Sequence, residues 1–161
     1  MNRAATPAAA FLDTLAAEEY AVSEFVDLLK LEQTALTNGK TDELPAFAEQ
    51  KSTLAGKLGG LCAQRNALLA GEGLGVDRAG VATWCAQHVK EHNAAAAWAH
   101  ILSLSAEARE LMRVNGQLIA MRMQYNSQAL EALLGGKNTL DLYGPDGQTT
   151  IADSRRINDT V

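Results

Sequence analysis

The stretch FLDTLAAEEYAVSEFVDLLKLEQTAL, residues 11–36, decides the fold. Its apolar residues advance by four and three through Phe11, Leu15, Val22, Phe25, Leu29 and Leu36, and Glu18 and Glu32 fill the two remaining seam positions. That is a heptad stripe on one long helix. Pro7 suits its first turn, and Asn38-Gly39 suits the left-handed conformation that closes a helix, so the helix is expected from about residue 7 to residue 38.

The next stretch, LPAFAEQKSTLAGKLGGLCAQRNAL at residues 44–68, repeats the rhythm as Leu44, Phe47, Leu54, Leu58, Leu61 and Leu68, with Lys51 and Arg65 in the gaps. Thr41 or Asp42 is expected to cap this second helix, with Pro45 tolerated in its opening turn. A short connection folds the two helices antiparallel. If paired residue numbers sum to 83, Glu32 faces Lys51 and Glu18 faces Arg65, while Leu29 meets Leu54 and Phe25 meets Leu58. Heptads alone permit slips of seven residues, so the four charges would select this register. The alternative is that they skirt the seam and reach solvent, as long side chains can.

Gly71, Gly73 and Gly75 end the second helix. No strand precedes them and no Gly-Lys-Ser/Thr follows, so they do not form a phosphate-binding loop. Asp77 can cap a shorter helix through Val81, Trp84, Cys85 and Val89, with a break expected around Asn93. A final helix is expected from about Ala94 to Leu134, stopped by Gly135-Gly136. Residues 136–161 are rich in Gly, Asn, Asp, Thr and Ser and hold too few apolar groups to offset ordering the backbone, which predicts a flexible tail. The expected architecture is therefore all-α: an elongated antiparallel helical bundle or coiled-coil hairpin with a long final helix, comprising a helical domain at 7–135 and the tail at 136–161.

Composition agrees. Hydrophobic residues make up 47% but aromatics only 5%, and Ala and Leu dominate, which favours helices over sheets. A net charge of -5 argues against a phosphate-binding surface and so against nucleic acid as a partner. No stretch approaches the roughly 18 apolar residues of a membrane span and the N-terminus lacks the pattern of a secretory signal, so a cytoplasmic protein without membrane insertion is expected. With only two cysteines, Cys62 and Cys85, free thiols are expected.

The sharpest enzymatic pattern is Cys85-x-x-His88-x-x-Glu91-His92, which places Cys85, His88 and His92 on one side of a helix and resembles an inverted zinc-protease motif. Such a protease also needs a distant carboxylate ligand and a cleft, and Glu107, Glu110 and Glu131 lie only on another helix. Polar residues at four-residue spacing are ordinary on a solvated helix face. No catalytic residue, metal or cofactor is assigned, and the chain is read as a non-enzyme.

More informative is the last helix, where Leu111, Met112, Val114, Leu118, Ile119, Met121, Met123 and Tyr125 spread around more than one face. A helix that only closed a bundle would need one stripe. Thioether side chains adapt to varied helical partners, so Met112, Leu118, Ile119 and Met123 are the candidate client-binding residues. The alternative is that this extra face packs within the bundle or in a homodimer.

With these residues in place, the chain resembles the FlgN family of flagellar type III export chaperones. The resemblance rests on Glu-x-x-Ala-Val-x-x-Phe-x-x-Leu-Leu-x-Leu-Glu-x-x-x-Leu from Glu18, the return helix with Leu44, Lys51 and Arg65, Val114-Asn115-Gly116-Gln117-Leu118-Ile119, and Leu142-Tyr143-Gly144-Pro145-Asp146-Gly147-Gln148. It implies a chaperone that holds C-terminal helical segments of the hook-associated, hook–filament junction proteins and delivers them to the export apparatus. It also implies contact with the export gate through the tail, at Leu142 and Tyr143. The segment Cys85 to His92 is not a recognised family feature.

Overall fold

The computed structural model describes residues 6–135. Among them the chain forms α1 (Pro7–Asn38), a 3-10 turn (Thr41–Glu43), α2 (Leu44–Gly71), α3 (Arg78–Gln87) and α4 (His92–Leu133), with no strand. This is the all-helical bundle that the heptads predict. The residues through Ala120 form one compact unit, and those from Met121 belong to a second.

The ends of α1 follow from local chemistry. The Thr6 hydroxyl accepts from the Ala9 amide at 3.2 Å, giving an N-cap ahead of Pro7. At the other end Gly39 has φ 78°, so the Gly39 amide reaches Leu36 O and the Lys40 amide reaches Ala35 O at 2.9 Å. A side chain with a Cβ would be strained there.

The start of α2 differs from expectation. Neither Thr41 nor Asp42 caps it; both fall in the 3-10 turn, whose chain runs directly into the helix, and Glu43 occupies the cap position without a side-chain hydrogen bond. Three residues of tighter helix complete the reversal, so a separate capping residue is not needed.

α1 is buried on two sides. Phe11, Leu15, Val22, Leu29 and Leu36 carry the predicted seam, and Thr14, Ala21, Leu28 and Ala35, each one position earlier, form a second buried row. One helix with two buried rows has two neighbours. α2 returns antiparallel beside Glu18, Glu24 and Glu32, which pair with Arg65, Lys57 and Lys51. On the side of Leu15, Val22, Val26 and Leu29, which cluster with Ile101 and Ala108, the first unit's part of α4 runs in the same direction as α1: His100 meets Glu19, Glu107 meets Lys30, and Asn115 meets Leu29 and Glu32. The hairpin is thus the antiparallel part of the bundle, and α4 lies parallel to its first helix.

α3 plugs the end of the first unit near the start of α1. Asp77 caps it as expected, accepting from the Gly80 amide at 2.8 Å. Trp84 is fully buried, stacks on Phe11 with ring centroids 4.1 Å apart, and packs with Leu15, Leu69, Val81, Ala94 and Ile101. Its indole N–H donates to Glu72 at 3.2 Å, which answers the one polar group of a buried Trp. Gly80 lets the preceding loop close down: a Cβ there would lie 1.7 Å from the Gly75 carbonyl oxygen.

Two segments end differently from the sequence expectation. α3 stops at Gln87, short of Val89, and α4 begins at His92, so the break falls at residues 88–91 and not around Asn93. The His88 ring explains the early stop. It folds back over Trp84 with centroids 4.0 Å apart, and both its Nδ1 and its backbone amide donate to Trp84 O, leaving residue 88 in a non-helical conformation.

Candidate functional site

The four seam charges lie inside the hairpin. Glu18 and Glu32 are buried, Arg65 is buried and Lys51 half-buried. Lys51 Nζ stands 2.6 Å from Glu32 Oε1, and Arg65 Nη1 pairs with Glu18 Oε1. These partners have residue numbers summing to 83, and they do not skirt the seam into solvent. Each pair has a further neighbour from the α4 side: Asn115 donates to Glu32 Oε2 at 2.9 Å, and the Arg65 guanidinium lies 4.9 Å from the centre of the Trp98 ring. The α4 contributions to these polar layers were not read from the sequence. Asn115, flanked by Val114 and Gly116, carries no periodic signal beyond its seven-residue spacing from Ala108 and Ile101.

Cys85, His88 and His92 do not share a helix face. Cys85 is on α3, His88 is its C-cap, and His92 opens α4. Burial pushes the Cys85 thiol up, away from the thiolate that metal ligation requires. Among the described residues no group of three or more His, Cys, Asp or Glu is placed to hold a metal ion.

The candidate client-binding residues fall in different settings. Met112 is exposed, and it sits beside the Arg113–Glu110 pair, where the guanidinium donates two hydrogen bonds and holds the Glu110 carboxyl below the usual carboxylate range. Leu118 and Ile119 are half-buried. Leu118 continues the seven-residue row Leu104–Leu111, which packs against Val26 and Leu29 of α1. Met123 is 69% exposed and belongs to the second unit.

Within that second unit the described helix is bare. Met121, Met123, Tyr125, Leu130, Leu133 and Leu134 are all exposed. Met123, Leu130 and Leu134 lie within a narrow arc at seven- and four-residue spacing, with Asn126 and Leu133 beside them. The client-binding residues expected from the sequence end at Met123; the exposed leucines beyond it carry the same signal. Leu142 and Tyr143, the expected gate-binding pair, lie outside the described residues.

Among the described residues, the all-helical bundle thus leaves large apolar side chains of its last helix exposed. The family model described as FlgN protein matches residues 7–151, and the chain belongs to that family, which comprises chaperones of flagellar export. No curated protein and no solved structure gives a match. Among the described residues no helix is long and apolar enough to cross a membrane.

Proposed function

We propose that the chain acts in the cytoplasm as the export chaperone of flagellar hook-associated proteins, covering their C-terminal helical segments and delivering them to the gate of the type III export apparatus. The observation that carries this reading is the exposed apolar residues of α4 in the second unit, where Met123, Leu130 and Leu134 share a narrow arc. An amphipathic client helix that has no partner before assembly exposes a complementary apolar face, and covering both faces removes an aggregation hazard. Methionine suits such a surface because its unbranched side chain repacks around different partners. The helical domain at 7–135 supplies the client surface, and the segment 136–161 carries Leu142 and Tyr143 to the gate.

The experiment is titration of the full chain with a synthetic peptide of a junction protein's C-terminal helix, against the chain carrying Met123→Glu with Leu130→Glu. Loss of binding by a well-folded variant supports the reading. Unimpaired binding overturns it, as does a wild-type chain that ignores the peptide and associates only with itself through α4.

A further inference from the structure

The first unit holds a second surface that the client reading does not use. Between the opening turns of α1 and α4 runs a groove of about 730 Å³, lined on one side by Leu12, Asp13, Leu15, Ala16 and Glu19 and on the other by residues of the 88–91 connection and the start of α4 through His100. Its floor is apolar: Leu15 and Ala94 are buried, and Leu12 and Ala97 half-buried. Alanines 16, 94, 96 and 97 end at Cβ, so the walls leave room for side chains entering from outside. The rim is charged. Asp13, Glu19 and Glu91 provide three carboxylates against the single ammonium of Lys90, with His92 and His100 as the remaining titratable groups and the His100 ring donating to Glu19 at 2.6 Å.

We propose that this groove is a docking site for a basic amphipathic helix of a partner protein. The floor takes a row of small apolar side chains, and Lys or Arg on the flanks of the incoming helix meets Asp13 and Glu91. A purely apolar helix would desolvate those carboxylates without replacing their water, and an acidic one would be repelled. The chain's net charge of -5 attracts the same partner at a distance. The groove is lined wholly by residues of the first unit, so it does not rest on the client assignment.

Two fluorescent helical peptides of about 14 residues, long enough for four turns, test it. They share a Leu/Ala face and differ in carrying Lys or Glu on the polar face. Binding to the full chain is read by anisotropy. The Lys peptide is expected to bind, more weakly as salt rises, and the Glu peptide at least about tenfold more weakly. Ala16→Arg fills an exposed wall position and should reduce Lys-peptide binding by a similar factor while leaving the melting temperature unchanged. If that variant unfolds, Asp13→Lys with Glu91→Lys makes the same test by charge reversal. Met123→Glu should leave this binding intact even where it abolishes client binding. Equal binding of both peptides, or Lys-peptide binding that survives the groove substitutions or disappears with Met123→Glu, overturns the proposal.

Discussion

Asn115 of α4 donates its side-chain amide to the same Glu32 carboxylate that Lys51 of α2 engages from the other side, at 2.9 and 2.6 Å respectively. A second Asn115 hydrogen bond, to the Leu29 carbonyl at 3.0 Å, ties α4 to the α1 backbone one turn earlier. One buried carboxylate therefore joins three helices, and its energetic weight lies in being shared: without either partner it is a desolvated charge with half its hydrogen bonds.

Charge exchange tests this arrangement. Lys51→Glu sets two carboxylates face to face and should cost about 3 kcal/mol in urea unfolding, and Glu32→Lys added to it should recover part of the loss. Asn115→Ala should cost about 1–3 kcal/mol, because Glu32 Oε2 then stays buried and unpaired. A double-mutant cycle with no coupling between positions 32 and 51 would remove the pair as a determinant of register. Replacing both by Leu should be nearly neutral, since desolvation offsets much of the Coulomb attraction.

The junction at α3 gives an independent prediction. Trp84→Ala removes a fully buried indole that holds Phe11, Leu15 and Ile101 together, and should destabilise by about 3–5 kcal/mol. Gly80→Ala tests backbone approach at the same place, because the added methyl overlaps the Gly75 carbonyl oxygen unless the 71–77 loop retreats. Both variants should melt earlier by differential scanning calorimetry. An unshifted Gly80→Ala would mean that the loop yields at no cost.

Much of this fold was legible in the sequence because heptads and helix punctuation are local. Pro7, Gly39 and Asp77 sit where their backbone chemistry predicts, and the four seam charges meet as their spacing requires. What was not legible is set by tertiary contact. The second buried row of α1, Thr14, Ala21, Leu28 and Ala35, mixes small and polar residues and reads as background until a neighbouring helix covers it. The early end of α3 goes with His88 stacking back on Trp84, an interaction that no propensity encodes, and the helix break at 88–91 is what divides Cys85, His88 and His92 as a candidate metal set. The sequence reading of the α4 surface ran to Tyr125 and named client residues to Met123, short of the exposed Leu130, Leu133 and Leu134.

The α4 residues should separate by function. Met123→Glu and Leu130→Glu change exposed positions and should shift stability by less than about 0.5 kcal/mol while weakening client binding tenfold or more. Leu118→Glu instead places a charge in the row that packs on α1, and should lower the melting temperature sharply whatever it does to the client. If Met123→Glu also melts early, its side chain is covered by a second copy of the chain, and sedimentation of the wild-type protein should then give a dimer.

The last prediction concerns Tyr143, which lies outside the described residues and is argued from sequence alone. Leu142 and Tyr143 stand immediately before Gly144-Pro145-Asp146-Gly147, a combination that favours a tight turn, in a segment otherwise dominated by polar and small residues. Tyr offers a large contact area with only two side-chain torsions to freeze, and its hydroxyl can find a partner, so a Leu-Tyr pair held by a turn makes an efficient anchor for another protein. If that protein is the export gate, the anchor acts after the client is bound. Tyr143→Ala should then leave thermal unfolding and client affinity unchanged, while secretion of the junction proteins falls in cells carrying the variant as their sole copy. Tyr143→Phe should retain most of the secretion if ring area dominates, and little if the hydroxyl carries the contact. Full secretion by Tyr143→Ala would sever this residue from handover, and loss of client binding in vitro by the same variant would reassign it to the client surface.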